Sequence, residues 1–106
     1  MLTHYILDGH GLKPASLIEW TRWMEHADRR VCDTTIDDVM VSTVFIGLDL
    51  GIGEGPPIVF ETMIFGGKFN EWQDRCATWD EAIKMHDRAV AMIRADSVID
   101  ATKRHE

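Results

Sequence analysis

The sequence predicts an α+β fold: two layers, with a four- to five-stranded, mostly antiparallel sheet and two helices in the order β-α-β-β-β-β-α. Three observations carry this. Two segments open on a helix-start signature and continue with apolar residues at helical spacing. The stretch between them is rich in β-branched and aromatic residues, cut by Gly, Pro and Asp turns. No repeat, linker or low-complexity segment divides the 106 residues, so residues 1–106 read as a single α+β domain.

The first strand is expected at Thr3 to Leu7, ending in the turn-type sequence Asp8-Gly9-His10-Gly11. Ser16-Leu17-Ile18-Glu19 fits a capping box, in which the Ser side chain and the Glu three residues on satisfy unpaired backbone donors. From there a helix is expected to about Asp28, with Leu17, Trp20, Trp23, Met24 and Ala27 as its apolar arc. Arg30 to Ile36 is strand-like, Asp37-Asp38 reads as a turn, and Val39 to Leu48 and Ile58 to Phe65 are two strong strands. A glycine-rich loop, Leu50 to Pro57, joins the strong strands, and a weaker strand is expected within Glu71 to Ala77. Thr78-Trp79-Asp80-Glu81 is a second capping box. Beyond it Trp79, Ala82, Ile83, His86, Ala89, Val90 and Ile93 form the stripe of a long helix that extends or frays past Asp96.

Alternation in the strong strands is two-sided. Even positions include Met40, Val44, Ile46, Phe60 and Ile64; odd positions include Val41, Phe45, Val59, Met63 and Phe65. Assigned to opposite faces by parity, both sets are mostly apolar. With both helices on one face, the other set lies open to water and marks an interface, hence a homodimer or higher oligomer. A helix on each face is the competing arrangement.

Composition narrows the function classes. Net charge is −7, which argues against nucleic-acid backbone binding, since that needs a basic footprint. No window approaches the ~20 apolar residues of a membrane span. The first residues lack the basic-then-apolar pattern of a secretory signal, so a cytoplasmic location is expected. The two cysteines, Cys32 and Cys76, are expected to be reduced thiols. No His or Cys spacing suggests a metal, and no cofactor motif is present.

Five residues form the candidate ligand-binding set: Glu61, Thr43, Asp8, His10 and His86. No catalytic set is assigned. Glu61 sits mid-strand among apolar neighbours, with Thr43 and Phe45 expected across the strand pair. Desolvation there would favour its protonated form, as in a general acid or base. The structural alternative is an ion pair with Arg75 or with an arginine of a partner subunit. His86 falls within the apolar stripe of the last helix and is either a core residue bonded to Ser42 or Thr62, or a functional one. Asp8 and His10 flank glycines at a strand end, either a ligand loop or simply a turn. Gly51, Gly53 and Gly55 could turn backbone donors toward an anion, but the Lys and Ser/Thr of a phosphate loop are missing.

The segments Val41-Ser42-Thr43-Val44-Phe45-Ile46-Gly47-Leu48-Asp49, Phe60-Glu61-Thr62-Met63 after Pro57, and Thr78-Trp79-Asp80-Glu81-Ala82 with His86 resemble a family. It is a family of small uncharacterised proteins encoded in bacteriophages and in bacterial genomes, many as prophage genes. Its members carry a similar STVFLGLD strand, a PxLFETM strand and a TWxEAxxxH helix start, and the likeness runs from about Tyr5 to Val90. Leu50 departs from it, standing where a polar residue follows the Gly-Leu-Asp. The resemblance implies a phage-related origin and brings no activity. Three functions follow as expectations. The first is a non-enzymatic homo-oligomeric binding protein acting on a host factor or small signalling molecule in counter-defence. The second is a small hydrolase-type enzyme using Glu61 or Asp8 and His10. The third is a virion structural or assembly component.

Overall fold

The computed structural model describes residues 3–51 and 53–104, with side chains as far as residue 96; Ile52 of the glycine-rich loop lies outside the described residues. The fold is α+β, built from β1 (His4–Asp8), β2 (Gly11–Ala15), α1 (Leu17–His26), β3 (Arg30–Ile36), β4 (Val39–Phe45), β5 (Phe60–Phe65), β6 (Gln73–Cys76) and α2 (Trp79–Arg104). The strands form two antiparallel sheets rather than one: a β1-β2 hairpin and a four-stranded sheet in the order β3-β4-β5-β6.

β2 is the element that the sequence did not announce. It contains Pro14, which cannot donate to a ladder and is tolerated only where a strand edge faces away from partners. A two-stranded ribbon supplies such an edge, and Pro14 pairs there with Tyr5. Gly9 takes φ +62° at the first central position of the two-residue turn, a conformation that costs glycine nothing.

The hairpin is stitched to the end of the main sheet. Beyond Phe45 the chain leaves β3 and pairs with the first strand: Tyr5 N donates to Gly47 O, Asp49 N donates to Thr3 O, and His4 bridges Leu48. Gly47 makes this change of partner possible. Its φ is +78°, and a Cβ there would lie 2.6 Å from Trp20 Nε1 of α1 and 3.0 Å from the Tyr5 carbonyl. α1 rests on the hairpin, with Trp23 edge-on to Phe45. Of its expected arc, Trp20, Trp23, Met24 and Ala27 are half-buried. Leu17 is instead 60% exposed and Ile18 64%, because the narrow hairpin supports only one side of the helix.

α2 lies across all four strands of the larger sheet. The register pairs Val41 with Ile64, Thr43 with Thr62 and Phe45 with Phe60. Odd positions of β4 therefore join even positions of β5, and the expected division of faces by parity is wrong. Antiparallel partners share a face whatever their parity; the length of the connecting loop sets the register. The face under α2 is fully buried at Val41, Thr43, Phe45, Phe60, Thr62 and Ile64. The helix answers with Ala82, Met85, His86, Ala89 and Ile93. Met85 takes the place expected of Ile83, which is 37% exposed. The opposite face carries Met40, Ser42, Val44, Glu61, Met63 and Phe65, all half-buried or exposed.

Both helices start at the expected residues, α1 with a full capping box and α2 capped through the Thr78 hydroxyl alone. Ser16 Oγ accepts from Glu19 N at 3.2 Å, and Ser16 N donates to Glu19 Oε1 at 3.3 Å. At α2, Glu81 N donates to Thr78 Oγ1 at 3.1 Å, and the hydroxyl donates to Glu81 Oε1 at 3.0 Å. Replacing Thr78 with Ala removes a backbone donor's partner and is expected to cost about 1 kcal/mol, read as a lower urea midpoint with an unchanged slope.

Candidate functional site

The five candidate residues fall into three separate places. Thr43 and His86 meet between the sheet and α2; Glu61 lies on the opposite face; Asp8 and His10 sit at the tip of the hairpin.

His86 is 2% exposed and engaged at both ring nitrogens. Nε2 is 2.8 Å from Thr34 Oγ1 on β3, and Nδ1 is 2.8 Å from Thr43 Oγ1 on β4. Thr43 is in turn 2.5 Å from Thr62 Oγ1 on β5. A polar chain thus crosses three strands beneath one helical residue. A neutral imidazole completes it in either tautomer, since one nitrogen donates and the other accepts while the hydroxyls rotate to match. The expected partners were Ser42 or Thr62. Ser42 points to the other face, and Thr62 is reached only through Thr43, because the register places Thr43 directly beneath the ring. Thr34 was not anticipated; no spacing in the sequence links β3 to position 86.

Burial holds the His86 pKa below the ordinary value of 6.5, while the carboxylates of Asp87 and Asp33 pull it weakly upward. The unfolded chain therefore takes up this proton at a higher pH than the folded one. The stabilisation from a neutral His86 is complete above about pH 6.5 and declines as the pH falls through that value. Thermal melts between pH 7.5 and 5.5 (about one pH unit either side of the ordinary histidine value) are expected to show a falling midpoint. In His86→Gln, which keeps a donor and an acceptor but does not titrate, that part of the slope should be absent.

Glu61 is not enclosed. Its cross-strand neighbours are Val44 and Arg75, not Thr43 and Phe45, which the register places on the other face. Arg75 Nε donates to Glu61 Oε2 at 3.0 Å, with the two side chains 44% and 19% exposed respectively. The carboxylate thus has a charged partner within the chain, and solvent screens the pair.

His10 stacks flat on Trp79, centroids 3.9 Å apart and planes within 5°. Trp79 also meets Phe60 edge-on, so this contact ties the hairpin tip to the start of α2. In the glycine-rich loop, Asp49 Oδ1 accepts from Gly51 N and Ile58 N, both at 2.9 Å. These two donors hold the Asp49 carboxyl below its usual range. They occupy the carboxylate with closing the loop. A depression of about 210 Å³ beside it is lined by Asp49, Glu54, Pro56, Ile58 and the loop glycines. A second, of about 280 Å³, lies at Gln73, Asp74 and Arg75. Both are smaller than the roughly 300–1,000 Å³ of ordinary small-molecule sites.

Cys32 and Cys76 are free. Burial, with Glu81 nearby, pushes the Cys76 thiol up to about 11, away from nucleophilic chemistry at neutral pH. Among the described residues no group of three His, Cys, Asp or Glu is placed to hold a metal ion, and no helix is long and apolar enough to cross a membrane. No protein-family model, curated protein or solved structure matches the chain.

Proposed function

We propose that the protein is a non-enzymatic binding protein that works as a homo-oligomer, a phage-related accessory factor acting on a host factor in counter-defence. The observation that carries the reading is the outer face of the four-stranded sheet. Met40 and Phe65, paired across β4 and β5, are 39% and 44% exposed there, with Met63 and Val44 half-buried further along the same face. Exposed apolar side chains grouped on one sheet face in this way are a mark of association. The dispersal of Glu61, Asp8, His10 and His86 over three places supports binding over hydrolysis, since an acid, a base and a nucleophile must share one position to cooperate. The phage-related part rests on the sequence resemblance alone.

Expression of the chain in a bacterium that carries phage defences is expected to raise plaque formation by a defence-sensitive phage. Met63→Glu, which places a charge on the apolar face, should abolish the gain while the purified variant keeps its circular-dichroism spectrum. Unchanged plaque counts with the parent protein would refute the counter-defence reading. A small molecule released on denaturing the purified protein, and identified by its mass, would redirect it from a host protein to a signalling ligand.

A further inference from the structure

We infer that the free edge of β3 is an interaction surface whose partner is the β3 edge of a second copy, paired antiparallel about a two-fold axis that passes beside Thr34, perpendicular to the sheet. The inference rests on the homo-oligomeric reading above and supplies its contact.

The backbone bonding pattern shows which groups are open. Phe45 N donates to Arg29 O and Ile46 N donates to Val59 O, so odd positions of β4 turn their backbone toward β3 and even positions toward β5. Cys32, Thr34 and Ile36, opposite Thr43, Val41 and Val39, therefore bond to β4. Asp33 and Thr35 turn their N–H and C=O groups outward, and among the described residues nothing bonds to them there. The other edges are closed, as natural sheets close theirs. β6 has four residues, and its outward-facing Arg75 N is taken by Asp74 Oδ1 at 2.9 Å. β2 sets Pro14, which has no N–H, at an outward position, and β1 is paired on both sides. Past the irregularity between Arg30 and Cys32, β3 has no such block.

Side chains select the partner and the register. Two antiparallel copies present the same residues to each other, so the open positions allow a two-fold centred on Asp33, Thr34 or Thr35. Centring on Asp33 sets that carboxylate against its own counterpart, and centring on Thr35 sets Asp33 against Asp37. Like charges directly opposite are destabilising. Centring on Thr34 sets Asp33 against Thr35 in both directions, with both backbone bonds exchanged and a hydroxyl donor beside each carboxylate. Thr34, which bonds His86 Nε2 at 2.8 Å, then meets its own counterpart, and threonine pairs across strands are favourable. The strand ends agree with this choice. At the start Arg30 lies 3.2 Å from Asp28 and 3.7 Å from Asp33, and Arg29 adds a further positive charge; at the end stand Asp37 and Asp38. Antiparallel copies lay each basic start beside the other's acidic end, whereas parallel copies set like against like. The two four-stranded sheets then run on as one, with both α2 helices on one side. Met40, Val44, Met63 and Phe65 of both copies share the other side and stay open to a host factor.

Sedimentation equilibrium over a concentration series tests this at Thr35, which is exposed. The parent protein is expected to reach twice its 12.1 kDa mass. Thr35→Asp opposes Asp33 twice and is expected to raise the dissociation constant on the order of tenfold, and Thr35→Lys to lower it by a similar factor. Thr35→Pro removes the outward donor and should leave a monomer where the parent is dimeric. Thr21→Lys, on the exposed side of α1, makes the same change in net charge as Thr35→Lys and should leave the constant where it is. Amide exchange at Asp33 and Thr35 should slow as the concentration rises. Circular dichroism checks that each variant folds, and if Thr35→Pro does not, the Asp and Lys variants decide. An oligomer that is indifferent to Thr35, or that Thr21→Lys tightens as much as Thr35→Lys does, overturns the β3 pairing and leaves the homo-oligomeric reading standing. A 12.1 kDa monomer at every concentration overturns both.

Discussion

The antiparallel register between β4 and β5 is the constraint on which the rest of the molecule depends. It brings Val41, Thr43 and Phe45 onto the same surface as Ile64, Thr62 and Phe60. A long helix can lie on a sheet only where that sheet presents a continuous surface without unpaired polarity. Two threonines interrupt this one, and His86 is the helical residue that absorbs them. A shift of one residue would instead bring Glu61 and Met63 beneath α2, burying a carboxylate and exposing half of the core. The polar chain thus works as a register mark. Thr34, Thr43 and Thr62 line up under the ring in one alignment of three strands, and misaligned pairings leave buried hydroxyls unsatisfied.

The same register determines what the outer face can be. Removing Phe60, Ile64, Val41 and Phe45 to the core side leaves Met40, Val44, Met63 and Phe65 on the other. These are apolar, but fewer and more adaptable than the residues beneath the helix. Two of them are methionines, whose unbranched side chains adapt to a packing partner more readily than branched ones do. Glu61 and Arg75 add an ion pair between β5 and β6 to this face and keep that side of it polar.

Both helices were legible in the sequence because capping boxes are local: donors and acceptors three residues apart depend on nothing distant. The strands β3 to β6 were legible from composition and turn residues for a similar reason. What failed was long-range. Period-2 alternation tells which residues of one strand share a side, but not which side of the neighbouring strand they join, and so Glu61 was given the neighbours Thr43 and Phe45 in place of Val44 and Arg75. Ile83 and Met85 are both apolar and flank the same helical turn, so only the docked angle of α2 distinguishes them. β2 was hidden because Pro14 and Lys13 argue against a strand, and only pairing with β1 overrides them. Of the candidate site, Thr43 and His86 belong together and the other three do not. Thr34 was invisible, since a threonine on an edge strand carries no sign of its partner 52 residues away.

The stitching of the hairpin to Gly47 and Leu48 has a consequence for the order of assembly. β1 is made before β3 to β6, yet the links of residues 3–5 to the segment that follows β4 reach across more than forty residues, to Gly47, Leu48 and Asp49. Its pairing with β2 is local and fast, but a lone two-stranded ribbon is marginal in water. Until β4 is made, the ribbon and α1 have only each other, with Trp20 and Trp23 in want of the surfaces they later meet. The central pair of strands depends on closing only a loop of about fourteen residues, a small entropic burden. Assembly should therefore run from the middle of the chain outward, with the N-terminal ribbon docking late although it is synthesised early. During translation it is the part most exposed to chaperones and proteases.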